Sequence, residues 1–264
     1  VRREKLKNNL IFSSLIFFFL LLAYFPQISG EFIGDDVGRI KDLPLKDSFK
    51  TLQHNLGDRP LLIASVWIDK HVLGFDVMGM RIQNLLWVTV LCLLMRLFID
   101  QVSFFFEARI NPWVRDGLIL LFAIHPLNTQ AIGHVIQRGI LFSSIFGLLS
   151  TLLLLNSKCD PQKIGWKFGL FSWCLALMSK PNIAFLPLWW IPFFYALGVR
   201  KNLISLVVFI LMLLIPVMGY VWGEFNLQTT SLYGMWDYFL IQGTSLYHYF
   251  RLMLVPWPLH FIHD

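Results

Sequence analysis

Long apolar runs separated by short polar breaks dominate the chain. Runs of this kind cover residues 10–25, 83–99, 113–124, 140–155, 166–178, 183–199 and 203–222. An α-helix crosses a bilayer with roughly 20 mostly apolar residues, so these runs predict about seven spans. Two further stretches are amphipathic. Residues 61–75 are mostly apolar but carry Asp69, Lys70 and His71, and residues 247–255 mix His248 and Arg251 with aromatics. Such stretches lie in the membrane interface rather than across it. The pattern predicts an all-α, polytopic transmembrane helical bundle with amphipathic helices in its outer loops. No tandem repeat or low-complexity linker divides it, so residues 1–264 read as a single membrane domain. Its outer parts are a loop over 27–82 and an amphipathic segment over 223–264.

Composition sharpens this picture. The chain is 56% hydrophobic and 14% charged, with 25 Phe and 10 Trp. Ordinary soluble domains are about 25% charged. A soluble enzyme, a disordered tail and a disulfide scaffold are excluded on that ground. The net charge of +6 sits in short clusters between apolar runs, not along one face, which argues for topology and against a nucleic-acid partner. With Arg2, Arg3, Lys5 and Lys7 inside, counting crossings also puts Arg96, Arg115, Lys158, Lys163, Lys167, Arg200 and Lys201 inside, as the positive-inside rule asks. The first run is read as an uncleaved helix, because Ile28-Ser29-Gly30 matches a signal-peptidase site poorly. This orientation, N-terminus cytoplasmic, suits a bacterial inner membrane or its equivalent. Cys92, Cys159 and Cys174 are far apart and have no metal-binding spacing. Whether the sequence is a piece of a longer one stays open at this point.

The charges that topology does not explain face outward. Glu31-Phe32-Ile33-Gly34-Asp35-Asp36 places an acid pair just past the first span; adjacent carboxylates raise one pKa and suit a general base. His125-Pro126-Leu127-Asn128-Thr129-Gln130 puts a helix-breaking proline at the end of the third run, followed by Gln137-Arg138. Ser179-Lys180-Pro181-Asn182 is a second polar break, and Arg59-Pro60 adds another outward cation. An arginine or lysine here either snorkels to headgroups or grips a phosphate through paired donors. Transfer of a group from a phosphorylated lipid suits the arrangement. Arg138 and Lys180 would neutralise the departing phosphate, with Arg59, His125 and Gln137 lining the donor site. Asp35 or Asp36 would take the proton of the acceptor hydroxyl. With that charge supplied by side chains, a divalent metal is not required, and the spacing in His260-Phe261-Ile262-His263-Asp264 is too generic to assign one.

Together with Gly79, Asn84 and the order of these strings, the sequence resembles the membrane half of the transmembrane and tetratricopeptide-repeat proteins. These are relatives of the protein O-mannosyltransferases in the C-type (GT-C) glycosyltransferase superfamily. His125-Pro126-x-x-Thr129 with Gln137-Arg138 is the most specific element. The resemblance implies a GT-C-like fold and a polyprenyl-phosphate-linked sugar as donor. It further implies a secreted protein or glycan as acceptor and an extracytoplasmic active site with its acid in the first outer loop. Asp35 and Asp36 match the family's acid pair, and Arg138 and Lys180 match its motif cations. Gly34 stands where an aromatic often precedes the acids, and Pro181 where many relatives have glutamate. Two other readings use the same residues: a non-catalytic subunit that binds or transports the lipid carrier, and an inactive remnant serving as a membrane scaffold.

Overall fold

The computed structural model describes residues 2–32, 36, 59–198 and 235–255. Among these residues every element is helical. The chain divides into two compact units, residues 1–205 and 206–264. The first contains α1 (Arg2–Ile28), α2 (Pro60–His71), α3 (Val77–Phe105), α4 (Pro112–Ala123), α5 (Thr129–Gly133), α6 (Arg138–Ser157), α7 (Ile164–Ser179) and α8 (Leu186–Ala196). The second contains α9 (Met235–Leu254), with Arg251 in its last turn.

The core of the first unit follows from spacing. Phe12, Ile16, Leu20, Tyr24 and Ile28 recur every fourth residue on α1 and are buried against Leu85, Val88 and Cys92 of α3 and Ile119 and Ala123 of α4. The opposite face of α1 is equally apolar: Leu10, Leu15, Phe18, Leu22 and Phe25 are exposed. A water-facing helix would be polar there, so this face belongs in lipid. Among the described residues, three stretches of helix are long and apolar enough to cross a membrane, Lys7–Ile28, Val77–Phe105 and Val135–Ser157. The protein is therefore read as an integral membrane protein. The helices over the predicted runs 113–124, 166–178 and 183–199 are shorter, and the run 203–222 lies outside the described residues.

α4 is short for a local reason. Asn111 caps it by accepting from the Trp113 amide (2.9 Å), Pro112 occupies its first turn, and Pro126 prevents its continuation. The carbonyls freed at this break are covered. The Tyr24 hydroxyl lies 3.2 Å from the Ala123 oxygen and 2.9 Å from that of His125, and Asn128 Nδ2 donates to the Phe122 oxygen at 2.6 Å. Non-helical backbone at membrane depth survives only with such partners.

α6 and α7 form a closely packed hairpin built on small residues. A side chain on Gly169 would meet Leu154 at 2.9 Å, Ser150 donates to the Gly169 oxygen (2.6 Å), and Ser172 to the Phe146 oxygen (2.8 Å). Small residues and interhelical hydrogen bonds are what bring helices together in lipid, where apolar burial drives little. Trp190 of α8 donates to Thr151 (2.8 Å) and ties that helix to the same pair. At the N-terminal end of α1, Arg115 pairs with Asp100 and Asp116, and Arg96 with Asp116 at 3.2 Å, cross-linking α3 and α4.

Candidate functional site

The candidate site lies at the other end of the bundle, where the first outer loop leaves α1. Arg81 of α3 is fully buried, and its guanidinium gathers backbone oxygens. It donates to Gln27 (2.7 Å), Gly30 (2.6 Å), Glu31 (2.5 Å) and Gly133 (3.0 Å). These bonds fasten the end of α1 and the start of the outer loop to the end of α5. Sequence reasoning did not single out Arg81, although an arginine at the edge of an apolar run is itself a signal.

Asp36 is fastened as firmly. It is fully buried, and both carboxylate oxygens are occupied: Oδ2 accepts from the Val135 amide (2.7 Å) and Oδ1 from that of Ile136 (2.9 Å). It thereby caps the short 3-10 turn Val135–Gln137, whose first amides have no other partner. Burial pushes the Asp36 carboxyl above the usual range, while the two amides, His134 and Arg81 pull against that shift. Asp35 lies outside the described residues.

Arg138 opens α6 and is completely buried. Its Nε donates to Asn84 Oδ1 (2.7 Å), its Nη1 to Asp69 Oδ2 (2.5 Å) and its Nη2 to the Met80 oxygen (3.0 Å). Asn84 in turn donates to the Ile132 oxygen at 3.1 Å. One ion pair thus joins α2 to α6 and, through Asn84, to α3. Asp36 is close enough to Arg138 to interact electrostatically. Asp69 was legible as the lone acid in register with Leu62 and Val66 on the buried stripe of α2. Asn84, named above only for the family resemblance, is the polar link of this network, accepting from Arg138 and donating to the Ile132 oxygen.

Lys180 and Arg59 form a second, different grouping. α7 stops at Ser179, and Lys180 takes an extended conformation before the 3-10 turn Pro181–Phe185. Arg59 immediately precedes α2, which packs against α6 and α7. Both cations are half-buried. Burial, and secondarily the Arg59 charge, lower the Lys180 pKa below the ordinary lysine range. Among the described residues, neither side chain is hydrogen-bonded or paired with a carboxylate. His125 and Gln137 are both half-buried: His125 Nδ1 accepts from the Leu127 amide at 3.2 Å, and Gln137 makes no capping bond with its side chain. The described residues contain no group of His, Cys, Asp and Glu able to hold a metal.

A close approach holds the Lys180 corner against Arg138. A side chain on Gly139 would stand 2.9 Å from the Ser179 oxygen, a backbone atom that cannot rotate away. Gly139→Ala should therefore destabilise the protein by about 1–3 kcal/mol through overpacking. Gly117→Ala is the matched control, because a Cβ there meets nothing within 4 Å. Thermal unfolding of the two variants in detergent compares them directly; equal midpoints would remove the close approach from the account.

The chain is similar to several curated protein O-mannosyl-transferases. The chain is 24% identical over 203 residues to protein O-mannosyl-transferase F38B6.6 of Caenorhabditis elegans, covering 71% of this chain and 28% of that protein. It is a distant relative of the TMTC-type protein O-mannosyl-transferases. Mouse TMTC3 is 27% identical over 173 residues, covering 58% of this chain and 18% of its own length. Human TMTC4 is 25% identical over 193 residues, covering 63% and 26% respectively. The chain thus spans well under a third of the curated relatives it matches. No family model matches it, and no solved structure does.

Proposed function

We propose that the chain forms the membrane part of a GT-C-type protein O-mannosyltransferase, which moves mannose from a polyprenyl-phosphate carrier to a protein hydroxyl on the extracytoplasmic side. The observation that carries this reading is the pair Arg59 and Lys180. Two half-buried cations close enough for the charge of one to act on the other, and paired with no carboxylate among the described residues, are electrostatically incomplete, and an anion completes them. The transferase names of the relatives favour catalysis over passive carrier binding. In the proposed topology the N-terminus is cytoplasmic and about seven helices cross the membrane.

The roles divide by geometry. Arg59 and Lys180 bind the donor's phosphate and stabilise the charge that grows on it as the C1–O bond breaks, a kind of donor elsewhere worth roughly 3–4 kcal/mol. Arg138, with its donors committed to Asp69, Asn84 and Met80, positions the wall behind them. Asp36, with both oxygens held by amides, anchors the loop. Asp35 is then the base: it takes the proton of the acceptor hydroxyl as that oxygen attacks C1 from the face opposite the phosphate. His125 and Gln137 line the approach.

Binding of dolichyl- or polyprenyl-phosphate mannose to the purified protein in detergent tests this. Arg59→Ala and Lys180→Ala should each weaken binding roughly tenfold or more, about 1.4 kcal/mol or above, with the unfolding midpoint nearly unchanged. The affinity should also depend on pH. Only the protonated amine attracts phosphate, so affinity falls as pH rises through the depressed Lys180 pKa, at a lower pH than an ordinary lysine would give. Lys180→Arg should abolish that dependence while keeping binding. Unaltered affinity in both alanine variants would refute the assignment.

A further inference from the structure

A groove of about 520 Å³ runs between α1 and α4 at the end of the bundle opposite the acid and cation cluster. Its walls are apolar, with Ile11, Leu15 and Phe19 of α1 facing Leu120 of α4, and it closes on a polar end at Asn8, Arg96 and Asp116. From Asn8 to Phe19 the helix rises about 16 Å, roughly half of a 30 Å hydrocarbon core. That is the depth of one leaflet.

The groove's floor contains Gly117. A glycine inside a helix is about 1 kcal/mol worse than alanine, and close packing is the usual compensation. None exists here, since a Cβ at Gly117 meets nothing within 4 Å. What the missing side chain leaves is depth in the groove.

The polar end carries its own counter-charge. The Arg96 guanidinium lies 4.6 Å from the centre of the Phe12 ring, bonds to Asn9 Oδ1 at 3.0 Å and pairs with Asp116 at 3.2 Å. The excess charge comes from the start of α1, where residues 2–7 carry four Lys and Arg against one Glu. Lys7, exposed, stands one turn before Ile11. Trp113, 87% exposed, lines the mouth, where an indole suits the headgroup level.

We propose that this groove seats one acyl chain of an anionic phospholipid from the leaflet at the N-terminal end of α1, its headgroup held by Lys7 and Trp113. The inference is independent of the transferase reading, because every residue it uses lies away from the acid and cation cluster.

Native mass spectrometry of the full chain in mild detergent, titrated with dioleoyl phosphatidylserine or dioleoyl phosphatidylcholine, tests it. The parent protein should hold phosphatidylserine saturably and in preference to phosphatidylcholine. Gly117→Phe, which fills the floor, should weaken that binding roughly tenfold or more, whereas Gly117→Ala retains it. Lys7→Glu should keep chain binding but lose the preference for the anionic lipid. If circular dichroism shows that Gly117→Phe has not folded, Leu15→Trp fills the groove from the other wall and is read in the same way. Equal binding of the two lipids by the parent, or parent-like binding after the groove is filled, overturns the proposal.

Discussion

Asp69→Ala should destabilise the protein by about 3–5 kcal/mol, the usual consequence of removing one partner of a buried ion pair. The reason lies in what remains. Arg138 is fully buried, and without Asp69 its Nη1 would face only the Ser65 hydroxyl, 3.4 Å away. Its other donors stay on Asn84 and Met80, so the loss is mainly electrostatic. Arg138→Ala should cost a similar amount by leaving the Asp69 carboxylate stranded. The double variant Asp69→Leu with Arg138→Met separates an uncompensated charge from a need for the pair itself. It should recover much of the lost stability, because a well-packed apolar pair often replaces a buried ion pair without penalty. Thermal unfolding in detergent reads all three. Single variants that unfold like the parent would show that this pair does not hold α2 to α6.

The second large effect separates two adjacent acids. Asp35→Asn should lower mannose transfer by roughly 10²–10⁴-fold, the range lost with a general base, and leave the unfolding midpoint near that of the parent. Asp36→Asn should act first on stability. An amide can accept from one of Val135 and Ile136 but presents its NH₂ to the other, leaving a buried amide opposed by a donor. That mismatch is worth about 1–3 kcal/mol. Transfer assays with lipid-linked mannose and an acceptor peptide, run beside the unfolding measurements, distinguish the two. Loss of activity without loss of stability in Asp36→Asn, with Asp35→Asn active, would reverse the roles.

Much of the architecture was legible because it depends on local pattern. Apolar runs of 16–17 residues, at 10–25, 83–99 and 140–155, announced the long helices. Pro126 announced the break after α4, and the polar stretch at Ser179–Asn182 the end of α7. The mixed run 61–75 announced an amphipathic stretch, which forms the short helix Pro60–His71. What could not be read was which charge meets which. Arg138 was expected to grip a substrate phosphate, because in sequence it stands alone between Gln137 and an apolar helix. Its partner Asp69 lies 69 residues earlier, and nothing local connects them. Arg81 was passed over for the same reason: its partners are carbonyls, which every residue possesses. The run 113–124 was located to within a residue, since α4 is Pro112–Ala123, but at 12 residues it is shorter than the roughly 20 a full crossing needs.

By itself, then, the order of residues determined that this chain belongs in a membrane and where polar, proline-containing breaks separate its helices. Hydropathy and proline geometry act over a few residues and need no knowledge of the fold. Only the packing of α2, α3, α6 and α7 decided the fate of the charges there. It buried Asp36 on two amides and Arg138 on Asp69, while leaving Arg59 beside Lys180. A charge in a low-dielectric interior is governed by whatever lies within a few ångströms of it, and those neighbours come from distant parts of the chain.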